Sequence, residues 1–185
     1  MPSEYLNDLL RQSTELRGQA HSLAGDLTEG QLQWSPGNGT WSMAQCLQHL
    51  VETAGLYYPR IDRLIEKAAR KKPYKGEAFE PTWLGGGFAK YVGPEGEARM
   101  KAPKKFKPSA VPEPGGLVRF LAEQEGLEQR MRASVDFNLR KWKIRSPAFI
   151  LMRFTMGDAY ALLISHGQRH VKQARAVRDL PGFPV

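Results

Sequence analysis

Two histidines four residues apart, His166 and His170, are the strongest chemical signal in the chain. On a helix that spacing sets two side chains about 40° apart on one face. Ala159, Leu162, Leu163 and Val177 fall within the same arc, so the pair faces an apolar interior. A buried ring nitrogen without a partner costs about 1–3 kcal/mol. A divalent metal meets that need for both rings, since imidazole nitrogens bind zinc at about 2.0–2.1 Å. Backbone carbonyls or water around two core histidines are the competing solution. Gly167 follows the first histidine, where zinc proteases with this spacing carry a glutamate base, so that motif is excluded.

His49 is the candidate third ligand. It lies roughly 130° from the centre of its helix's apolar stripe, beside Cys46, Thr53 and Leu56, which by itself reads as a surface or flank position. It joins a site only if the helix of His166 and His170 packs against that flank. The metal would then sit at a helix seam near one end of a bundle, within reach of solvent. The fourth histidine, His21, lies about 100° off its own stripe and reads as a surface residue.

Four segments with helical periodicity must position these groups. In the first, with Ser3 as its cap, Leu6, Leu9, Leu10, Leu16, Ala20 and Leu23 recur at three- and four-residue steps until Gly25. Thr28 caps a short stretch that ends in the turn residues of 34–39. The second segment starts at Thr40 or Ser42 and carries Met43, Leu47, Leu50, Val51, Ala54, Tyr58, Ile61 and Ile65 on one face, with a bend expected at Pro59. The third is predicted from about Gly116 to Arg140, with Gln124 and Glu128 inside its apolar stripe. The fourth is predicted from Thr155, in a capping box that uses Asp158, to the stop signal at 180–184. No stretch shows strand alternation, so the fold class is all-α, a four-helix bundle.

Residues 71–114 differ in composition. They hold seven of the thirteen prolines, six glycines and eight lysines, with neither helical nor strand periodicity. A disordered linker is one reading. Tyr74, Phe79, Trp83, Phe88, Tyr91 and Phe106 favour another, an ordered Pro/Gly/Lys-rich excursion packed over one end of the helices, as a lid or binding loop would be.

The remaining bounds are broad. A chain of 185 residues is expected to form a single domain, 1–185. No apolar run approaches the ~18 residues of a membrane span. The first residues lack the basic-then-apolar pattern of a signal peptide, so the expectation is cytoplasmic. One cysteine, Cys46, excludes an internal disulfide. The net charge of +8 raises a rival class, a nucleic-acid-binding bundle, carried by Arg70-Lys71-Lys72, Lys104-Lys105 with Lys107, and Arg140-Lys141 with Lys143 and Arg145. The runs are short and come without a phosphate loop, RNA-recognition signature or zinc-finger spacing, so nucleic acid is not the expected partner. Helix-dipole compensation and solubility produce the same clusters.

Beyond these patterns, three stretches resemble one family. Trp34-Ser35-Pro36 followed by 41–50, WSMAQCLQHL, is similar to the opening of the second helix in DinB-like (DinB/YfiT) proteins. The run 166–173, HGQRHVKQ, with Pro181-Gly182-Phe183-Pro184 resembles their fourth helix and tail, and Ser146-Pro147-Ala148-Phe149 has the family's flavour. The resemblance implies a four-helix bundle holding a divalent metal through His49, His166 and His170; the all-nitrogen shell suits zinc or nickel first and iron next. The resemblance also implies a metal-dependent hydrolase or a low-molecular-weight thiol S-transferase acting on a small molecule. A metal-stabilised scaffold or sensor without turnover is the alternative within the family.

Three neutral ligands leave an ion its full charge and an open coordination position, as in catalytic zinc sites. Gln173, three residues after His170, could orient a ligand or a water; Gln124, Glu128 and Glu52 are further candidates to support the site. Each has an ordinary reading as an interhelix contact or a solvated side chain. Cys46 reads more simply as a small core residue than as a ligand or nucleophile. A homodimer paired through a helix face is the expected assembly.

Overall fold

The computed structural model describes residues 4–96, 103–149 and 151–184. Its elements are α1 (Glu4–Ala24), α2 (Glu29–Gln33), α3 (Met43–Ala69), α4 (Trp83–Val92), α5 (Gly116–Ala133), β1 (Lys143–Arg145), β2 (Arg153–Thr155) and α6 (Met156–Arg178), with one 3-10 turn at Lys104–Phe106. The protein is a helical bundle. Helices α1, α3, α5 and α6 are the four expected ones. Each of α1 and α3 packs against both α5 and α6, so the four close around a shared interior. Apolar side chains fill it in two clusters. Leu6, Tyr57, Ile61, Leu127, Met131 and Tyr160 belong to one, and Leu16, Leu23, Met43, Leu47, Phe120 and Val171 to the other.

The helix starts follow local chemistry. Thr28 and Ser42 each form a capping box, the hydroxyl accepting from the backbone N–H of Gln31 or Gln45 while that glutamine's side chain returns to the cap's own N–H. The expected cap Ser3 lies outside the described residues. Pro59 stands inside α3, which continues to Ala69. The chain stops α6 at Asp179 and folds back so that Phe183 meets Trp34 edge-on, ring centroids 5.6 Å apart.

Three expectations need correction. Residues 71–114 are not free of regular structure, because α4 lies within them. Three consecutive glycines, 85–87, make its local helix propensity poor, at about 1 kcal/mol each against alanine. Packing on α6 overrides that penalty. Thr82 caps α4, and the buried Asp158 carboxylate of α6 accepts from both its backbone N–H (3.0 Å) and its hydroxyl (2.7 Å). Gly85 is required there, since a β-carbon at that position would overlap the Asp158 side chain. Asp158 therefore does not complete a capping box for its own helix; it accepts the Thr155 hydroxyl (2.7 Å) and joins two helix starts.

The third helix ends at Ala133 rather than near Arg140. Ser134 turns its hydroxyl back to the Arg130 carbonyl (2.8 Å), and the Asn138 side chain accepts from the N–H groups of Arg140 and Lys141, forming a turn of its own. The bundle also carries a short two-stranded antiparallel ribbon, in which Ile144 pairs with Phe154. Both are buried in the core while their neighbours Lys143, Arg145 and Arg153 are exposed. Three residues per strand give too little alternation to read.

Candidate metal centre

His49 stands in the second turn of α3, and His166 and His170 in the middle of α6, across the seam where these helices pack. The Nε2 atom of His166 is 3.3 Å from that of His49 and 3.1 Å from that of His170. Among the described residues these three form the one group of histidine, cysteine or carboxylate side chains spaced to hold an ion, all within 4.8 Å of one another. His49 is not the surface residue its position on the helix suggests. It is 4% exposed. Phe106, in the 3-10 turn, puts its carbonyl 2.5 Å from His49 Nδ1, and the Trp41 ring lies 5.0 Å from the imidazole.

That carbonyl decides the tautomer. Only Nδ1–H can donate to it, which leaves the Nε2 lone pair of His49 directed at the other two rings. A proton on His166 Nε2 would have to be shared between two acceptors at 3.1 and 3.3 Å. A cation suits the set better. Two nitrogens each about 2.0–2.1 Å from one ion at the tetrahedral angle stand roughly 3.3–3.4 Å apart. The two spacings at His166 fit a metal with little adjustment.

Electrostatics also favours neutral donors. Burial, the largest influence, holds all three imidazoles below the ordinary 6.5. His166 falls to about 3, with His49 and Arg169 adding to the effect. His170 lies well below the usual value through burial and then the neighbouring charges, opposed by Gln173. For His49 the Phe106 carbonyl partly offsets burial. His170 Nδ1 is buried without a hydrogen-bond partner, although Gln173 adjoins the ring in the same wall.

The histidines open onto a cavity of about 630 Å³. Two stripes line its inner side: His49, Thr53 and Tyr57 at four-residue steps on α3, and Leu162, His166 and His170 at the same steps on α6. Phe88 and Val92 of α4 and Phe106 of the 3-10 turn supply the outer side, so residues from the 71–114 stretch do wall the site.

A family model described as the DinB superfamily matches residues 12–174, and that span carries all three histidines. The chain belongs to the DinB superfamily. Nothing among curated proteins or solved structures matches it. For a DinB protein the histidine cluster fits metal binding, with its donors drawn from the two helices that the resemblance named.

The supporting residues divide. Gln173 lines the cavity beside His170. Gln124 and Glu128 do not; they are buried where α5 meets α1. Gln124 accepts from the Ser13 hydroxyl (3.4 Å), and Glu128 pairs with Arg17 (3.4 Å) and Arg132 (3.2 Å). Glu52 accepts from Gln48 one turn earlier (2.7 Å) and is also absent from the cavity wall. Cys46 is fully buried in the core and its thiol is pushed up to about 12 by burial, which removes it as a nucleophile. His21 is exposed, as expected. Trp41, Phe88, Phe106 and Lys107 are the wall residues that helix periodicity could not find. The aromatic content of 71–114 was the visible trace of Phe88 and Phe106, whereas Trp41 stands in the 41–50 stretch that carries the resemblance.

Proposed function

We propose that this DinB protein is a metal-dependent enzyme acting on a small molecule, with transfer to or from a low-molecular-weight thiol as the first reading and hydrolysis as the second. The observation that carries it is the convergence of three neutral Nε2 donors on one point at the floor of a roomy cavity. His49, His166 and His170 would hold zinc or nickel, with iron next. When bound, such an ion supplies Lewis acidity and lowers the pKa of a water or thiol brought to its open position.

The chain's own residues do the rest. The Phe106 carbonyl fixes the His49 ring, Gln173 stands beside His170 to orient a ligand, and the aromatic wall limits water. No carboxylate lines the cavity among the described residues. Activating water calls for a base to remove its second proton and assist attack, whereas a thiol with pKa near 8.5 needs only one modest shift. This favours the thiol reading.

Metal-loaded protein is assayed with several low-molecular-weight thiols and an electrophile such as 1-chloro-2,4-dinitrobenzene, and in parallel with simple esters and amides. Conjugation that needs the metal and disappears in His166→Ala supports thiol transfer. Metal-dependent ester or amide cleavage alone moves the assignment to hydrolysis. Absence of metal-dependent turnover in both arms leaves a metal-stabilised scaffold or sensor.

A further inference from the structure

The cavity is far larger than a metal, a water and a thiol require. At about 630 Å³ it lies within the range of pockets that enclose whole small molecules. Its walls carry five aromatic rings, Trp41, Tyr57, Phe88, Phe106 and Phe149, from separate parts of the chain. The rings brace one another: Phe88 meets Phe149 edge-on at 5.6 Å, and Trp41 stacks over His170 at 5.7 Å with planes 20° apart. A wall built this way receives a flat apolar body without rearranging.

Among the described residues, the charge in the same wall has one sign. Lys107 and Arg169 line the cavity, and among the described lining residues there is no aspartate or glutamate. Arg169 donates to the carbonyls of Gly93 (3.3 Å) and Gly96 (2.8 Å). Lys107 is exposed and forms no ion pair with a described residue. Apolar walls focus the field of such a cation into the cleft and raise the local concentration of anions.

We propose that the molecule this cavity takes is an aromatic carboxylate, its ring system against the Phe88, Phe106 and Phe149 wall and its carboxylate paired with Lys107. The proposal rests on the preceding reading in that it names the substrate class of the same site. Neutral aromatics lack the ion pair, aromatic amines meet repulsion, and small carboxylates leave the wall uncovered.

Calorimetric titration of the metal-loaded protein with 2-naphthoate, 2-naphthylmethanol, 2-naphthylmethylamine and acetate tests this. The expected result is 2-naphthoate binding at least about tenfold more tightly than each of the others, a difference near 1.4 kcal/mol. Lys107→Gln, at an exposed position, is expected to cut the naphthoate-to-naphthylmethanol ratio about fivefold with metal content unchanged. Phe88→Ala is expected to weaken naphthoate more than acetate. Acetate binding as tightly as naphthoate would overturn the proposal, as would equal binding of the alcohol or the amine, or an unchanged ratio in Lys107→Gln. Repeating the series on metal-stripped protein separates the two readings. Selectivity that persists in a protein unable to take up metal sinks the metal reading alone; a metal-binding protein without selectivity sinks this one alone.

Discussion

The depressed histidines give the residue scale a sign that can be measured. Each of the three binds a proton near 6.5 when unfolded but, when folded and metal-free, only at lower pH, about 3 for His166. Below 6.5 the unfolded chain therefore holds more protons than the folded one, and stability falls as pH falls. Thermal melts of metal-stripped protein are expected to show a declining midpoint from pH 7 to pH 5, with a shallower decline in His166→Asn. A flat profile, or the same slope in the variant, would contradict the assignment of buried neutral rings. His166 and His170 were legible because their relation is local: four residues on a helix fix a shared face whatever the rest of the chain does. His49 was not. Its burial comes from the Trp41 ring and a carbonyl at position 106, and no periodicity in α3 contains either.

At the scale of elements, the site depends on segments outside the four main helices. The 3-10 turn at Lys104–Phe106 supplies the acceptor that orients His49, and outer partners of this kind set metal affinity. Phe106→Ala removes the buried side chain that seats the turn, and is expected to weaken metal binding about 10–100-fold in a competitive chelator titration. Unchanged affinity would mean the carbonyl holds its place without the ring. Helix α4 hangs on Asp158, which is 1% exposed and accepts from Thr82 and Thr155. Asp158→Ala leaves several buried donors unpaired and is expected to cost about 2–4 kcal/mol in urea unfolding. A loss under about 0.5 kcal/mol would place it with ordinary surface substitutions. Neither dependency was readable beforehand. Glycine-rich α4 forms because Asp158 and α6 receive it, and the β1–β2 ribbon is too short to carry a pattern of its own. The helices α1, α3 and α6 were legible from their apolar repeats, α3 and α6 also from their caps, whereas the end of α5 is set by the side chains of Ser134 and Asn138.

For the whole molecule, the bundle brings together positions 49, 106, 166 and 170 through packing of α3 on α6, with α1 and α6 in close approach. Gly167 permits the latter, since a β-carbon there would lie 2.6 Å from Leu16 Cδ2. No helix among the described residues is long and apolar enough to cross a membrane. The net charge of +8 is spread over several elements: Arg70 follows the C-terminus of α3, Lys105 donates to the Pro147 carbonyl, and Arg140 lies over the Phe79 ring. Such a distribution predicts that duplex DNA and structured RNA do not retain the protein near 0.15 M salt, and salt-sensitive retention there would revive the nucleic-acid reading. An ion held between α3 and α6 links helices more than a hundred residues apart in sequence, so binding it should stabilise the fold through mass action. Elemental analysis of the purified protein, paired with a metal titration, is the most direct check on that bridge. About one equivalent of zinc, nickel or iron per chain is expected, falling to background in His49→Ala and in His170→Ala. Less than about a tenth of an equivalent with no affinity on titration, or loading in both variants as high as in the unaltered protein, would contradict a metal centre built from these histidines.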